Sequence, residues 1–286
     1  MLYLLYKIGL SLLRFASKET AYKVVSLFAK IKCRISKKDR EIVKENLRAV
    51  KPDASEKDIS LLAEGVFKNF GRYLVDFFSL GKNKEDFLKK NLLFEGLENI
   101  DEALKLGKGC IILTGHFGNW ELAGYVVAGM GYKLNAVALA HADSRINNLF
   151  IEQRRKSGTQ VIPISSAKKS CLAALERNEL IAILGDRPYR DHGIEVNFFG
   201  RTAIVPRGAA LFSIKNSAPI ITAFTYKEDE EKDIYKLVFK KLVYVEQGDS
   251  TGELLENITQ NFIRRFESYI QKYPSQWYMF NKVWKN

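Results

Sequence analysis

The chain has 286 residues, 47% of them hydrophobic and 27% charged, with 45 basic and 33 acidic side chains for a net charge of +12. That length can bury a sizeable core and is most simply one domain with a helical appendage, and the composition excludes a disordered chain. The three cysteines (Cys33, Cys110, Cys171) are scattered singly, which argues for a reducing compartment.

The basic excess is concentrated at the start. Residues 1–50 hold 12 Lys/Arg and 4 Asp/Glu. A basic, apolar N-terminus suits an anionic membrane surface. Nucleic acid is the other partner such charge could serve, but the chain has no zinc finger, no aromatic RNP-like strand and no Gly-x-x-Gly loop flanked by basic residues, so no nucleic-acid partner is expected. Residues 1–16 are strongly apolar, interrupted by Lys7 and Arg14. This run is short of the roughly 20 residues a spanning helix needs, and no signal-peptide cleavage site follows it. A second amphipathic stretch covers residues 20–31, with Tyr22, Val25, Phe28 and Ala29 at helical spacing. Residues 1–36 therefore predict a membrane-attaching helical unit, lying on the surface or crossing it as one tilted span, ahead of a domain over 37–286. The basic cluster at 30–40 would face an anionic leaflet.

Residues 37–50 read as a helix ended by Lys51-Pro52. Ser55 followed by Asp58 is close to a capping box and opens a second helix that runs to about Leu80, with Val66, Phe70 and Phe77 on its apolar face. Residues 92–95 read as a short strand and 99–106 as a helix, stopped by Gly107-Lys108-Gly109.

Cys110-Ile-Ile-Leu113 is a continuous apolar run near glycines, the pattern of a strand covered on both faces. Gly115 to Asn119 follow as a turn, and a helix begins at Trp120 with Asn119 as its cap. His116 thus lies at the carboxyl end of a buried strand, where open α/β sheets gather their sites. His116 and Glu121 are five apart, a spacing that splits them on one helix but not across a strand–turn–helix junction. A carboxylate bonded to one ring nitrogen would fix the tautomer and let the other nitrogen act as general base. The bland reading is a turn histidine beside a solvated helix acid. Metal is not expected: of His116, His141 and His192, no two fall at i,i+4 spacing.

Gly115-His-Phe-Gly-Asn-Trp-Glu121 resembles the signature of the lysophospholipid acyltransferase superfamily, and specifically its lipid A biosynthesis (late) acyltransferase branch, where the pattern is His-x-x-x-x-Glu. The resemblance extends over nearly the whole chain. It implies a His116–Glu121 dyad as general base, and family members often carry an N-terminal membrane anchor.

Residues 133–139 read as a strand, 143–156 as a helix, 160–163 as a strand and 170–177 as a helix. An arginine just before Gly158 recurs in the family and resembles a contact to substrate phosphate or to an oxyanion; Arg154 is favoured over Arg155. Residues 181–184 form a second strand ending in Gly185-Asp186-Arg187-Pro188. The stretch from there through Phe198-Phe199-Gly200 to Val205-Pro206-Arg207-Gly208 is similar to the family's second block. By that resemblance Asp186 shapes the acceptor site, and Arg187 or Arg207 holds an acceptor phosphate. The family's usual Gln after the aspartate is Arg187 here. Residues 228–233 read as a charged turn between two strands, 251–272 as an amphipathic helix, and Pro274 to Trp284 as similar to the family's closing segment.

The expected fold is one α/β domain with a mixed, largely parallel β-sheet flanked by helices. The expected reaction moves an acyl chain from a thioester donor, acyl-carrier protein or acyl-CoA by resemblance, to a hydroxyl of a membrane glycolipid or phospholipid, with a lipid A precursor as the branch-level acceptor. Backbone amides near Gly118, Asn119 and an arginine would support the acceptor and oxyanion. No cofactor is expected. The expected location is the cytoplasmic face of the bacterial inner membrane. A thioesterase or lipid hydrolase and a non-catalytic peripheral membrane protein remain as alternatives.

Overall fold

The computed structural model describes residues 2–81, 90–188, 193–242 and 250–284. His192 lies outside the described residues, and so does the side chain of Arg14.

Four helices come first: α1 (Leu2–Phe15), α2 (Lys18–Ile35), α3 (Lys37–Val50) and α4 (Glu56–Ser79). The alternating part follows as β1 (Leu92–Glu95), α5 (Glu98–Leu104), β2 (Cys110–Thr114), α6 (Trp120–Gly129), β3 (Leu134–Ala138), α7 (Ser144–Arg155), β4 (Gln160–Pro163), α8 (Ala167–Glu176) and β5 (Leu180–Leu184). A hairpin of β6 (Ile194–Phe198) and β7 (Arg201–Val205) leads to α9 (Gly208–Asn216), β8 (Ile220–Tyr226), β9 (Tyr235–Lys241), α10 (Thr251–Lys272) and a 3-10 turn at Pro274–Gln276.

The expected mixed, largely parallel sheet is present. Its seven strands run in the order β1-β9-β8-β2-β5-β3-β4, and only the β8–β9 pair is antiparallel. The predicted charged turn at 228–233 makes that one hairpin possible, since antiparallel neighbours accept a short connection and parallel ones do not. β2 is buried at every residue, as its unbroken apolar run predicts. Ile111 and Leu113 join the core under α8, α9 and α10, whereas Cys110 and Ile112 join the core under α5 and α6. β6 and β7 form a separate two-stranded sheet.

Several helix ends form for the reasons the sequence offers. Ser55 accepts the amide of Asp58 at the start of α4, and Ser250 with Glu253 forms a full capping box on α10. α10 buries Ile258, Phe262, Phe266 and Ile270 along one stripe.

The single-span alternative for the N-terminus is overturned. α1 has 14 residues, which at 1.5 Å per residue is about 21 Å, short of a bilayer core of roughly 30 Å. Among the described residues no helix is long and apolar enough to cross a membrane. α2 instead packs along α4, with Cys33 buried against Val43 and Leu47 of α3 and Ile59 and Ala63 of α4. Its opposite side remains exposed and apolar: Leu27, Phe28, Ile31 and Ile35 recur at helical spacing there, and Leu4, Ile8 and Phe15 do so on α1.

Candidate active site

The site is built at the carboxyl end of β2, in the centre of the sheet. The chain leaves β2 for β3 on one side, and β8 later docks on the other, so a crevice opens at this end. The turn that carries His116 is held by four consecutive amides. His116 N–H donates to Asp186 Oδ2 at 2.9 Å, Phe117 N–H to Gly115 O at 2.7 Å, Gly118 N–H to Gln276 O at 2.8 Å and Asn119 N–H to Thr225 O at 2.8 Å. Gly118 sits at φ +57°, and a Cβ there would stand 1.8 Å from Thr225 O. Only glycine fits both demands.

The imidazole meets Asp186, not Glu121. His116 Nδ1 lies 2.8 Å from Asp186 Oδ1, and the Trp277 indole donates to Asp186 Oδ2 at 3.3 Å. Burial by itself pushes the Asp186 carboxyl up. The His116 ring, the His116 amide and the Trp277 indole outweigh it and hold the group below the usual carboxylate range. An ionised carboxylate only accepts, so Nδ1 carries the proton of this contact and Nε2 is directed away from Asp186. The imidazole stays about a quarter exposed, while the Asp186 side chain is fully buried. Its edge faces the Trp120 ring at 5.3 Å between centroids.

The expected contact between Glu121 and His116 is therefore corrected. Glu121 is the second residue of α6, and its carboxylate points across to α7. There Arg154 grips it with Nε at 3.0 and 3.2 Å and with a terminal nitrogen at 2.5 Å. Both side chains are largely buried. In this low-dielectric setting the attraction between the two charges is strong and offsets part of their desolvation. Arg154 does not stand free for a phosphate or oxyanion; its charge is matched by Glu121. Arg155 is exposed and pairs with Glu152.

Two further expectations change. The amides at Gly118 and its neighbours are committed within the protein, so the turn does not offer them to an oxyanion. Asn119 is 1% exposed and spends its side-chain oxygen capping α6 at Leu122 N–H, which makes it a cap, as predicted, and not a surface for substrate. Asp186, read by resemblance as shaping the acceptor site, is a buried partner of His116. Arg187 and Arg207 are both exposed, and neither has an ion-pair partner among the described residues.

On the α6 face of the sheet a cavity runs beneath the helix. Ile112, Ala136, Ala182 and Ala223 form its floor, Ala123 and Gly124 of α6 its roof, and Glu121 and Arg154 sit in its wall with Trp120. Small side chains on both floor and roof keep the space open, and the lining is mostly apolar. Phe77 at the end of α4 closes one side. Among the described residues no cluster of His, Cys, Asp and Glu could hold a metal.

The chain is 27% identical over 251 residues to the phosphatidylinositol mannoside acyltransferase of Mycolicibacterium smegmatis, covering 85% of this chain and 79% of that one. It is 25% identical over 223 residues to the protein of the same name from Mycobacterium tuberculosis, covering 76% and 68%. Residues 1–286 match the family profile of the bacterial lipid A biosynthesis acyltransferases; the chain belongs to that family and is an acyltransferase.

Proposed function

We propose that this acyltransferase moves a fatty acyl chain from a thioester donor to a sugar hydroxyl of an anionic membrane glycolipid. The observation that carries the mechanism is the 2.8 Å contact between His116 Nδ1 and the buried Asp186 carboxylate. His116 Nε2 takes the proton of the acceptor hydroxyl. The oxygen attacks the thioester carbonyl, the carbon–sulfur bond breaks, and the imidazolium returns its proton to the departing thiolate. Asp186 holds the tautomer and offsets the imidazolium charge that forms in transit. No acyl-enzyme is needed, because the acceptor supplies the nucleophile. The Glu121–Arg154 pair acts as a brace that joins α6 to α7 beside the cavity. The cavity takes the acyl chain, since its lining is apolar and its floor small. Arg187 and Arg207, exposed and without a described ion-pair partner, suit the phosphate of the acceptor.

Two glycolipids motivate the acceptor class: lipid A in the family's name, and phosphatidylinositol mannoside in the relatives' names. Both are glycolipids that carry phosphate. The exposed apolar faces of α1 and α2, flanked by lysines and arginines, dock the enzyme on the anionic cytoplasmic leaflet of the inner membrane.

The test is acyl transfer from labelled acyl-CoA and acyl-carrier protein to a panel of lipids in detergent micelles, for wild type and His116→Ala. A labelled lipid that disappears in the variant supports the mechanism. Equal activity in the variant removes the histidine from the reaction, and free fatty acid as the sole product of the wild type replaces transfer with hydrolysis.

A further inference from the structure

A chain of hydrogen bonds joins the histidine turn to α2, about 90 residues earlier in sequence. Gln276 is its centre. It is 4% exposed, in the 3-10 turn after α10. Its carbonyl accepts Gly118 N–H at 2.8 Å. Its side-chain Oε1 accepts Lys227 N–H at 3.0 Å, and its Nε2 donates to Lys227 O at 2.7 Å. One amide thus pairs both backbone groups of Lys227, as a neighbouring strand would. The residues after it extend the grip on the turn: Tyr278 N–H donates to His116 O at 2.8 Å, and Trp277 holds Asp186.

From Lys227 the chain continues into charge. Lys227 Nζ donates to Asp233 at 3.1 Å and to the Tyr22 hydroxyl at 3.4 Å. Asp233 and the buried Asp76 both receive Lys18 Nζ, at 2.7 and 2.9 Å. Asp76 also accepts the hydroxyls of Tyr22 and Tyr235. Lys18 and Tyr22 belong to α2, Asp76 to α4, and Lys227 and Asp233 to the β8–β9 connection. Clusters of this kind cost desolvation, and packed apolar side chains are often as stable in their place. What the cluster adds is a fixed geometry between α2 and the segment that Gln276 reads.

We infer that Gln276 is a positioning residue for His116, and that seating α2 through Lys18 and Tyr22 completes that positioning, so that acyl transfer is coupled to docking of the N-terminal helices. The inference rests on the proposed role of His116. Gln276 touches no reacting atom; it fixes the turn that presents the imidazole. Small displacements of such a group are expensive, since a misplacement of about 1 Å can cost on the order of a hundredfold in rate.

The test uses the full chain and three variants: Gln276→Met, which keeps length without the amide; Gln276→Glu, which keeps the acceptor; and Lys18→Met with Tyr22→Phe. The first readout is the nitrogen-15 NMR signal of the His116 Nδ1–H, assigned by its loss in His116→Ala and read without substrate. The second is kcat against KM. In Gln276→Met the signal should shift or broaden and kcat should fall about tenfold or more with KM within about twofold. The α2 double variant should show the same changes in smaller measure, about threefold in kcat. If Gln276→Met does not fold, Gln276→Glu reads the same signal. A wild-type imidazole signal in the folded Gln276 variants, with any lost activity matching the lost folded fraction, overturns the positioning role. A signal moved by Gln276→Met but not by the double variant overturns the coupling to α2. Because the signal needs no turnover, a wild type that transfers no acyl group counts against the proposed function and not against this inference.

Discussion

His116 and Asp186 each stand two residues beyond Thr114 and Leu184, which are register partners at the carboxyl ends of the adjacent parallel strands β2 and β5, and their side chains meet at 2.8 Å. The pair is a consequence of sheet register. Replacing His116 by Ala should remove acyl transfer by several powers of ten. Asp186→Asn keeps the shape but presents a donor to Nδ1 and favours the wrong tautomer, so it should cost about 10^3–10^4 in kcat. Steady-state kinetics on the two variants checks both. An Asp186→Asn enzyme within tenfold of wild type would remove Asp186 from the mechanism.

The same carboxylate makes stability depend on acid. The folded state holds Asp186 below its unfolded value of about 3.9. Its stabilising contribution is therefore complete above that value and is lost as pH falls through the lower folded one. Asp186→Asn should be less stable than wild type near neutrality, and the gap should narrow as pH falls below the unfolded value of about 3.9. Denaturant unfolding at pH 7 and pH 3 measures both gaps.

Glu121 and Arg154 should behave as a structural pair. Breaking a buried pair costs about 3–5 kcal/mol, and slightly exposed groups lie at the lower end, so Glu121→Leu alone should lose about 2–3 kcal/mol. Adding Arg154→Met removes the orphaned charge and should restore part of it. A double-mutant cycle by chemical unfolding gives the coupling, and additive losses would mean that the two are independent.

Gly124 roofs the cavity, and a Cβ on it would meet only Leu134 Cδ2, at 3.6 Å. Gly124→Ala should thus stabilise α6 by about 0.5–1 kcal/mol. Gly124→Leu would fill the space and shift the preferred acyl donor towards shorter chains. A chain-length series of acyl-CoA substrates reads this directly. An unchanged profile would mean that the acyl chain lies elsewhere.

Phe15 is 91% exposed and Ile35 73%, large apolar side chains standing in solvent on α1 and α2. Asp at both positions should weaken sedimentation with anionic vesicles several-fold while leaving the thermal midpoint near wild type. Salt should weaken binding of both proteins, because the flanking cations act through a screened field. Binding unaffected by the two substitutions would dismiss this face as the docking surface.

Much of the molecule can be read in one dimension. The buried run at 110–113, the Asn119 cap, the strand at Gln160–Pro163 and the amphipathic helix Thr251–Lys272 all formed where local pattern placed them. The His116 turn was legible for the same reason, since an apolar strand running into a glycine and a polar residue marks a strand's carboxyl end. The repeat of that pattern at Leu184-Gly185-Asp186 was visible too. It was a signal for the histidine's partner, but nothing local says that β5 lies beside β2. Spacing suggested Glu121, five residues away; pairing of strands supplied Asp186, seventy residues away. The β6–β7 hairpin and the role of Gln276 were hidden likewise, because each depends on what the chain packs against.

By itself, then, the sequence determined most of the elements, the mixed sheet, the histidine turn and the resemblance to the family, since these follow from periodicity, capping and a short motif. The tertiary structure alone decided which carboxylate holds the imidazole, which arginine is neutralised, which amides are already taken and which face of α2 is left bare. Those outcomes turn on strand register and burial. Contacts between residues far apart in sequence exist only once the conformational entropy of the chain between them has been given up, and local propensity carries no record of them.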